Sequence, residues 1–224
     1  MSPETPSLID NFPPNTLLAT LQQLLPEISS WDIATGTLDI GSLLALDKLW
    51  QPVKPIRILM GDETTRRTRK ELLNATSQQV DDGIEIAKEE DDFPTMTGLE
   101  AIRQALASKQ IQARVYHRAK FHAKAHILKT QDEATDHALI GSSNFTRPGL
   151  LENVELNLLT TDPTQVAYLR EWFERLWHDV DAVAPELIKV IERHLRAFTP
   201  FEVWAKLCFR RDINPLLVML SEHL

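Results

Sequence analysis

The sequence predicts an α/β fold in which a mixed β-sheet is sandwiched between helices. The segment Ile56–Gly61 is a continuous apolar run, which is typical of a strand buried on both faces of a parallel sheet. Four further strand-like segments lie between Gln112 and Leu159. Amphipathic segments near both ends, above all Gln165–Val180, have the pattern of helices that cover a sheet.

The first half of the chain alternates between helical and extended patterns. Leucines at helical spacing predict a helix over residues 17–25, and the next segment predicts a strand over 31–40 that ends in a turn. A helix over 43–49 is stopped by Pro52 and Pro55, which precede the strand over 56–61. Helices are then expected over 63–77 and 97–108, on either side of an acidic loop.

The second half is richer in strands. Residues with high β-propensity predict strands over 112–117, 121–128, 137–142 and 153–159. Helices over 165–180 and 185–197 complete a domain that we expect to span residues 1–198. Residues 199–224 are expected to form a helical C-terminal extension, in which Pro215 separates two short helices. Four large aromatic residues fall at helical core spacing and are assigned to packing: Trp172, Phe173, Trp177 and Trp204.

Composition excludes several classes of protein. No apolar run approaches the roughly 20 residues that span a bilayer, and residues 1–15 lack the pattern of a secretory signal. We therefore expect a cytoplasmic protein that does not contact membranes. Cys208 is the only cysteine, which excludes an internal disulfide and predicts a small buried apolar residue.

The charge is negative overall but locally positive. The formal net charge is -8, which argues against indiscriminate coating of nucleic acid. Between Ile111 and Thr130, however, lie five basic residues, three histidines and no acid. A second basic cluster comprises Arg66, Arg67, Arg69 and Lys70. Such runs can be solvated faces, or they can supply the local field that attracts phosphate.

Three polar pairs interrupt the otherwise apolar strands of the second half. Because side chains two apart on a strand point to the same face, each pair is expected to project together. The pairs are His122 with Lys124, Ser142 with Asn144, and Asn153 with Glu155. Polar groups in such positions are costly unless they meet one another or a ligand, so the pattern predicts one shared site.

These residue types suit phosphoryl transfer through a covalent intermediate. A neutral nitrogen of His122 can attack phosphorus, while Lys124 supplies positive charge to the non-bridging oxygens. Asn144 and Ser142 can donate hydrogen bonds to the same oxygens, and Glu155 can hold the imidazole tautomer by accepting from its other nitrogen. We expect this chemistry to need neither a metal nor a cofactor.

The motifs HAK at 122–124 and GSSN at 141–144, with a glutamate at position 155, resemble the H-x-K and G-S-x-N motifs of the phospholipase D superfamily. The segments IATGTLDIGSLLAL, IRILMGDET and TPFEVWAKL are also similar to nuclease-like modules fused to bacterial helicases of the Swi2/Snf2 kind. The resemblance implies a phospholipase D-like fold and a metal-independent nuclease that acts on DNA. It also implies a module of a restriction or phage-defence helicase protein, to whose helicase region residues 199–224 would lead.

Two departures from the family pattern have consequences. Position 129, where the resemblance leads us to expect an aspartate, is Lys129, and Asp132 is not assigned the missing role. The family reaction uses two histidines, whereas this chain has one H-x-K motif. The resemblance therefore implies a homodimer whose active site lies across the two-fold axis.

Several alternatives remain open from the residues alone. His117, Arg118 and Lys120 are candidates for substrate phosphate contacts, although a solvated turn is the competing interpretation. His122 and His126 have the spacing of a helical zinc pair, but on a strand they would be about 13 Å apart. A serine nucleophile lacks the G-x-S-x-G context. A non-catalytic domain that binds DNA or a partner, and a lipid hydrolase, are the alternative functions.

Overall fold

The computed structural model describes residues 8–61, 93–130 and 136–182, together with Lys189. The strands in these ranges are β1 (Leu8–Ile9), β2 (Ile28–Thr35), β3 (Ile56–Met60), β4 (Ile111–Val115), β5 (Ala125–Thr130), β6 (His137–Gly141), β7 (Asn157–Thr160) and β8 (Asp181–Ala182). The helices are α1 (Leu17–Leu24), α2 (Ile40–Ala45), α3 (Phe93–Ala107), α4 (Arg147–Leu151) and α5 (Pro163–Trp177), with a 3₁₀ turn at Leu25–Glu27.

The strands form one mixed sheet, as the sequence predicts. Their order across the sheet is β1-β7-β6-β5-β2-β3-β4-β8. Strands β2, β3 and β4 are parallel to one another, which confirms the interpretation of the apolar run at Ile56. Strands β5, β6 and β7 are antiparallel to their neighbours.

Helices cover both faces of the sheet. On one face, buried side chains of α1, α2, α3 and α4 pack with Trp31 and Phe145, both of which are fully buried. On the other face, α5 places Phe173 and Trp177 against the sheet, and the half-buried Trp172 stacks on Phe121. The predicted sandwich and the packing role of these α5 aromatics are therefore confirmed.

A charged group joins α5 to the middle of the sheet. The guanidinium of Arg57 on β3 donates to Asp32 on β2 at 2.6 Å and to Glu174 on α5 at 2.7 Å. It also lies 5.1 Å from the ring centre of Phe173, within the range of a cation–π contact. The two carboxylates offset the cost of removing the charge of Arg57 from water beneath the helix.

The boundaries of several predicted elements are wrong. The strand expected over 31–40 begins at Ile28 and ends at Thr35, and the helix expected over 43–49 begins at Ile40, where Asp39 caps it. The strands expected over 121–128 and 153–159 begin only at Ala125 and Asn157. The short elements β1, β8 and α4 were not predicted, because a strand of two residues or a helix of five is too short to show its periodicity.

Some expectations fall outside the described residues. These are the helices over 63–77 and 185–197, the extension over 199–224, the basic cluster Arg66, Arg67, Arg69 and Lys70, and the residues Asp132, Trp204 and Cys208. Among the helices that are described, none is long and apolar enough to span a membrane.

Candidate active site

The end of β2, the start of β5, the end of β6 and the start of β7 lie along the same edge of the sheet, the one that the strand ends form. The register pairs Ala34 near the end of β2 with Ala125 at the start of β5, and Ala125 with Ile140 near the end of β6. It also pairs Gly141 at the end of β6 with Asn157 at the start of β7. The segments that leave β2 and β6 and those that enter β5 and β7 therefore lie side by side.

Three of the predicted catalytic residues converge at this edge, around Gly36. A methyl group placed on Gly36 in ideal geometry would lie 3.0 Å from Asn144 Oδ1, 3.3 Å from Lys124 Nζ and 3.6 Å from His122 Cδ2. One point thus has an amide, an ammonium and an imidazole within contact distance. A phosphate group is the kind of ligand that can engage a nucleophile, a cation and a donor at once.

The predicted strand positions of these residues are wrong, although their convergence is as expected. His122 and Lys124 lie in the segment before β5, and Ser142 and Asn144 lie in the segment after β6. Their placement at strand ends leaves the residues outside the regular hydrogen-bond ladder. Loops at the end of a sheet, held by a rigid scaffold, are where binding groups are commonly presented.

The lysine and the histidine differ in exposure. The side chain of Lys124 is buried, with 8% of its surface exposed, and its Nζ donates to the backbone oxygen of His122 at 3.1 Å. His122 itself is exposed. The ammonium of Lys124 is therefore partly excluded from water, which strengthens its attraction for an anion, while the imidazole of His122 remains accessible.

Asn144 is oriented by a backbone group. Its Oδ1 accepts a hydrogen bond from the N–H of Thr37 at 3.2 Å. With the oxygen engaged in this way, the Nδ2 group is the donor that the amide can offer to a ligand.

Ser142 and Glu155 form a second cluster beside the first. The hydroxyl of Ser142 donates to Glu155 Oε2 and accepts from the N–H of Leu156 at 3.0 Å. The other carboxylate oxygen of Glu155 accepts from Asn153 Nδ2 at 3.4 Å. The structure thus gives Glu155 partners other than an imidazole, and its predicted contact with His122 stays a prediction.

Two buried residues, which the sequence analysis did not assign to the site, link the segment after β6 to the start of β7 by hydrogen bonds. Asn157 Nδ2 donates to Ser143 Oγ at 2.9 Å, and the N–H of Ser143 donates back to Asn157 Oδ1 at 3.4 Å. Each side chain is at most 3% exposed. The signal was present, because Asn157 continues the two-residue spacing of Asn153 and Glu155.

The loop after β2 was also missed as part of the site. It contributes Gly36 at the centre and Thr37 as the partner of Asn144. The only local signal is a glycine between two threonines at the end of a buried strand. Nothing in that signal reveals a partner more than one hundred residues away.

The basic stretch does not form one continuous field. The guanidinium of Arg114 lies 4.4 Å above the ring of Trp177 and donates to its carbonyl oxygen at 2.6 Å, so it faces α5. Arg118, proposed as a phosphate contact, forms an ion pair with Asp179 at 2.7 Å. The exposed residues His117 and Lys120 lie between β4 and His122.

His126 belongs to the core rather than to the site. Its ring centre lies 5.6 Å from those of both Trp31 and Phe145, and 3% of its surface is exposed. Burial lowers the pKa of His126 to about 3, so the ring is neutral at physiological pH. Packing between two aromatic rings accounts for this histidine without the zinc pairing considered from its spacing.

Lys129, which stands where the family resemblance led us to expect an aspartate, lies far from the cluster of His122, Lys124 and Asn144. Lys124 precedes β5 and Lys129 is near its other end, so about 16 Å of extended chain separates them. At that remote end Asp136 is buried, accepts from the N–H of Thr130 at 2.9 Å and pairs with Arg170 of α5. A carboxylate thus joins the hairpin to α5 at that end of the sheet.

A family model described as cardiolipin synthase, PLD-like domain, matches residues 45–177. No curated protein matches the chain by sequence.

Solved structures resemble the chain at low identity. NucT from Helicobacter pylori is 11% identical, with 74% of this chain and 90% of that chain covered and a TM-score of 0.46. The phospholipase D family member Nuc from Salmonella typhimurium is 15% identical, with 72% and 87% covered and a TM-score of 0.42. The archaeal chromatin protein TrmBL2 is 14% identical, with 78% and 52% covered and a TM-score of 0.42.

Proposed function

Because the chain belongs to the phospholipase D-like family, whose model matches more than half of its length, we propose that it is a metal-independent phosphodiesterase that cleaves DNA. The observation that carries the proposal is the meeting of His122, Lys124 and Asn144 around Gly36. These groups supply a nucleophile, a positive charge and a hydrogen-bond donor for one phosphate.

The reaction proceeds in two displacements. A neutral ring nitrogen of His122 attacks phosphorus, the bond to the leaving oxygen breaks, and a second imidazolium protonates that oxygen. A water molecule, deprotonated by the second imidazole, then attacks the phosphohistidine and releases His122. In both transition states Lys124 Nζ and Asn144 Nδ2 stabilise the negative charge on the non-bridging oxygens.

The second imidazole comes from a second copy of the chain. An exposed apolar strip adjoins the site and supports this homodimer, because a contiguous exposed apolar patch commonly marks a protein–protein contact. Leu158 on β7 is paired with Leu8 on β1 and with Ile140 on β6, and all three are exposed. Val154 and Leu156 extend the strip to both sides of Glu155, and they are 84% and 60% exposed.

DNA is the proposed substrate. His117 and Lys120 are exposed on the segment that leads into the motif, where they can contact phosphates that flank the scissile one. The resemblance to helicase-fused modules supports the further proposal that this domain serves a cytoplasmic restriction or phage-defence protein, with a helicase region as its partner. Residues 1–198 are the proposed nuclease domain and residues 199–224 the proposed extension toward that partner.

Cleavage of plasmid DNA in the presence of EDTA tests the proposed function. We expect nicked and linear products with the chelator present, and no release of headgroup from a phospholipid analogue under the same conditions. DNA binding without cleavage would indicate a non-catalytic binding domain instead. Cleavage of the lipid analogue alone would indicate a lipid hydrolase.

Mixed dimers test whether the site is shared between two copies. Wild-type chains and tagged His122→Ala chains are unfolded together, refolded at varied ratios and assayed. Because each site needs an imidazole from both copies, activity should fall as the square of the wild-type fraction. A linear fall would show that each chain works alone and would contradict the shared site.

A further inference from the structure

A buried hydroxyl joins the loop after β2 to the loop after β6. Thr35, the last residue of β2, is fully buried. Its Oγ1 donates to the backbone oxygen of Thr37 at 2.6 Å and accepts from the N–H of Phe145 at 2.9 Å. The side chain therefore contacts the residue that binds Asn144 and the residue that follows Asn144.

Backbone contacts extend this junction along both loops. The N–H of Asp39 donates to the backbone oxygen of Phe145 at 3.1 Å, and Leu38 forms a parallel bridge with the same residue. The N–H of Arg147 donates to Asp39 Oδ2 at 3.3 Å. The two loops are thus held together by several hydrogen bonds, and the Thr35 hydroxyl contacts the residue next to Asn144.

Within this junction the amide of Asn144 has one favoured orientation. Its Oδ1 accepts from Thr37 N–H at 3.2 Å, and a half-turn of the amide would bring its NH₂ group against that N–H. Two facing donors lose a hydrogen bond and leave the partly buried N–H of Thr37 without an acceptor. The position of the Thr37 backbone therefore determines which end of the amide is available to substrate.

We propose that Thr35 is a positioning residue for catalysis, which sets the orientation of Asn144 through the backbone of Thr37 and Phe145. The inference rests on the proposed function, since it assigns Asn144 Nδ2 to the phosphate oxygens. Thr35 itself is buried and does not touch substrate. It also lies outside residues 45–177, the part of the chain that the family model matches.

Gly36 supports the same arrangement by having no side chain. A methyl group there would lie 3.0 Å from Asn144 Oδ1 and 3.3 Å from Lys124 Nζ, which is closer than nearly all such contacts. To make room for the methyl group, Asn144 Oδ1, which accepts a hydrogen bond from Thr37, would have to shift by a few tenths of an ångström. Gly36→Ala is therefore a second way to disturb the amide, and it leaves the Thr35 hydroxyl in place.

The test compares two substitutions of Thr35 in the intact chain. Thr35→Val keeps the shape and removes both hydrogen bonds, whereas Thr35→Ser keeps the hydroxyl. We expect Thr35→Val to lower kcat for plasmid cleavage roughly 10- to 100-fold with little change in KM, since a small misplacement of a donor is felt most in the transition state. Thr35→Ser should retain most of the wild-type kcat.

A double-mutant cycle separates positioning from loss of fold. In an Asn144→Ala background the Thr35→Val change should have no further effect on kcat, because the group that it positions is gone. An undiminished effect in that background, or equal kcat for wild type and Thr35→Val, would overturn the inference. If Thr35→Val does not fold, as judged by circular dichroism, Thr35→Ala, which also removes the hydroxyl, takes its place in the cycle with the same expected outcome.

A measurement without turnover distinguishes this inference from the proposed function. In protein labelled with ¹⁵N-asparagine, the side-chain amide signals of Asn144 should move in Thr35→Val and stay in place in Thr35→Ser. Moved signals in a protein that cleaves nothing would contradict the proposed function and leave the positioning role intact. Unmoved signals in an active enzyme would contradict the positioning role alone.

Discussion

Replacement of His122 by alanine should abolish DNA cleavage. The change removes the nucleophile of a covalent mechanism, and we expect kcat to fall by about 10⁴-fold or more. Because His122 is exposed in the segment before β5, little buried volume is lost. Initial rates in EDTA, together with circular dichroism and size-exclusion chromatography, measure activity, fold and assembly separately.

His178→Ala is the matched control for this variant. His178 is also an exposed histidine, but it lies at the end of α5, 3.4 Å from Glu174. We expect the control to keep the wild-type rate. If the His122→Ala protein were active, His122 could not be the nucleophile, whatever the behaviour of the control.

Replacement of Lys124 should have the next largest effect. Lys124→Met keeps an unbranched apolar chain in the buried space and removes the charge, so packing is largely preserved. We expect kcat to fall by about 10²- to 10³-fold, which corresponds to about 2.7–4 kcal/mol of transition-state stabilisation. The measurement is kcat and KM for plasmid cleavage, with thermal unfolding as the test of stability.

Lys129→Met is the control for removal of a lysine charge. Lys129 is half-buried on β5, near the end that is remote from the site, so its loss should leave kcat unchanged. Equal losses in the two variants would show that the effect is a general change of charge or stability. In that case Lys124 would have no special place near the phosphate.

The sheet could be predicted because its strands carry strong local patterns. The apolar run at Ile56–Met60 indicated a parallel strand, and residues of high β-propensity between Gln112 and Leu159 indicated β4 to β7. The amphipathic stripe of α5 likewise marked the helix that covers the second face. These signals lie within single elements, where hydrophobic periodicity is informative.

The site could be predicted in part because it is built from consecutive antiparallel strands. Polar pairs at the start of β5, the end of β6 and the start of β7 must meet at one edge, whether or not the residues belong to the ladder. The two-residue spacing could not show that β5 begins at Ala125, because an irregular extended segment has the same alternation. The convergence was therefore predicted correctly from strand positions that were wrong.

Contacts between distant segments could not be predicted. The N–H of Thr37 donates to the side chain of Asn144, 107 residues further along the chain, and the sequence near either residue does not indicate this contact. The pairing of Arg118 with Asp179 and the placement of Arg114 on Trp177 likewise depend on how α5 and its C-terminal end pack. Because of those contacts, the basic residues between Ile111 and Thr130 do not form the single positive surface that their spacing in the sequence suggests.

Trapping the covalent intermediate shows whether His122 attacks phosphorus while Lys124 and Asn144 hold the phosphate. Wild-type protein is mixed with a short DNA substrate in EDTA, quenched in base, where phosphohistidine survives, and mapped by mass spectrometry. We expect a phosphoryl-linked nucleotide adduct on the peptide that contains His122, formed and lost at the rate of turnover. Cleavage with the adduct on another residue, or with no adduct under conditions that preserve phosphohistidine, would contradict it.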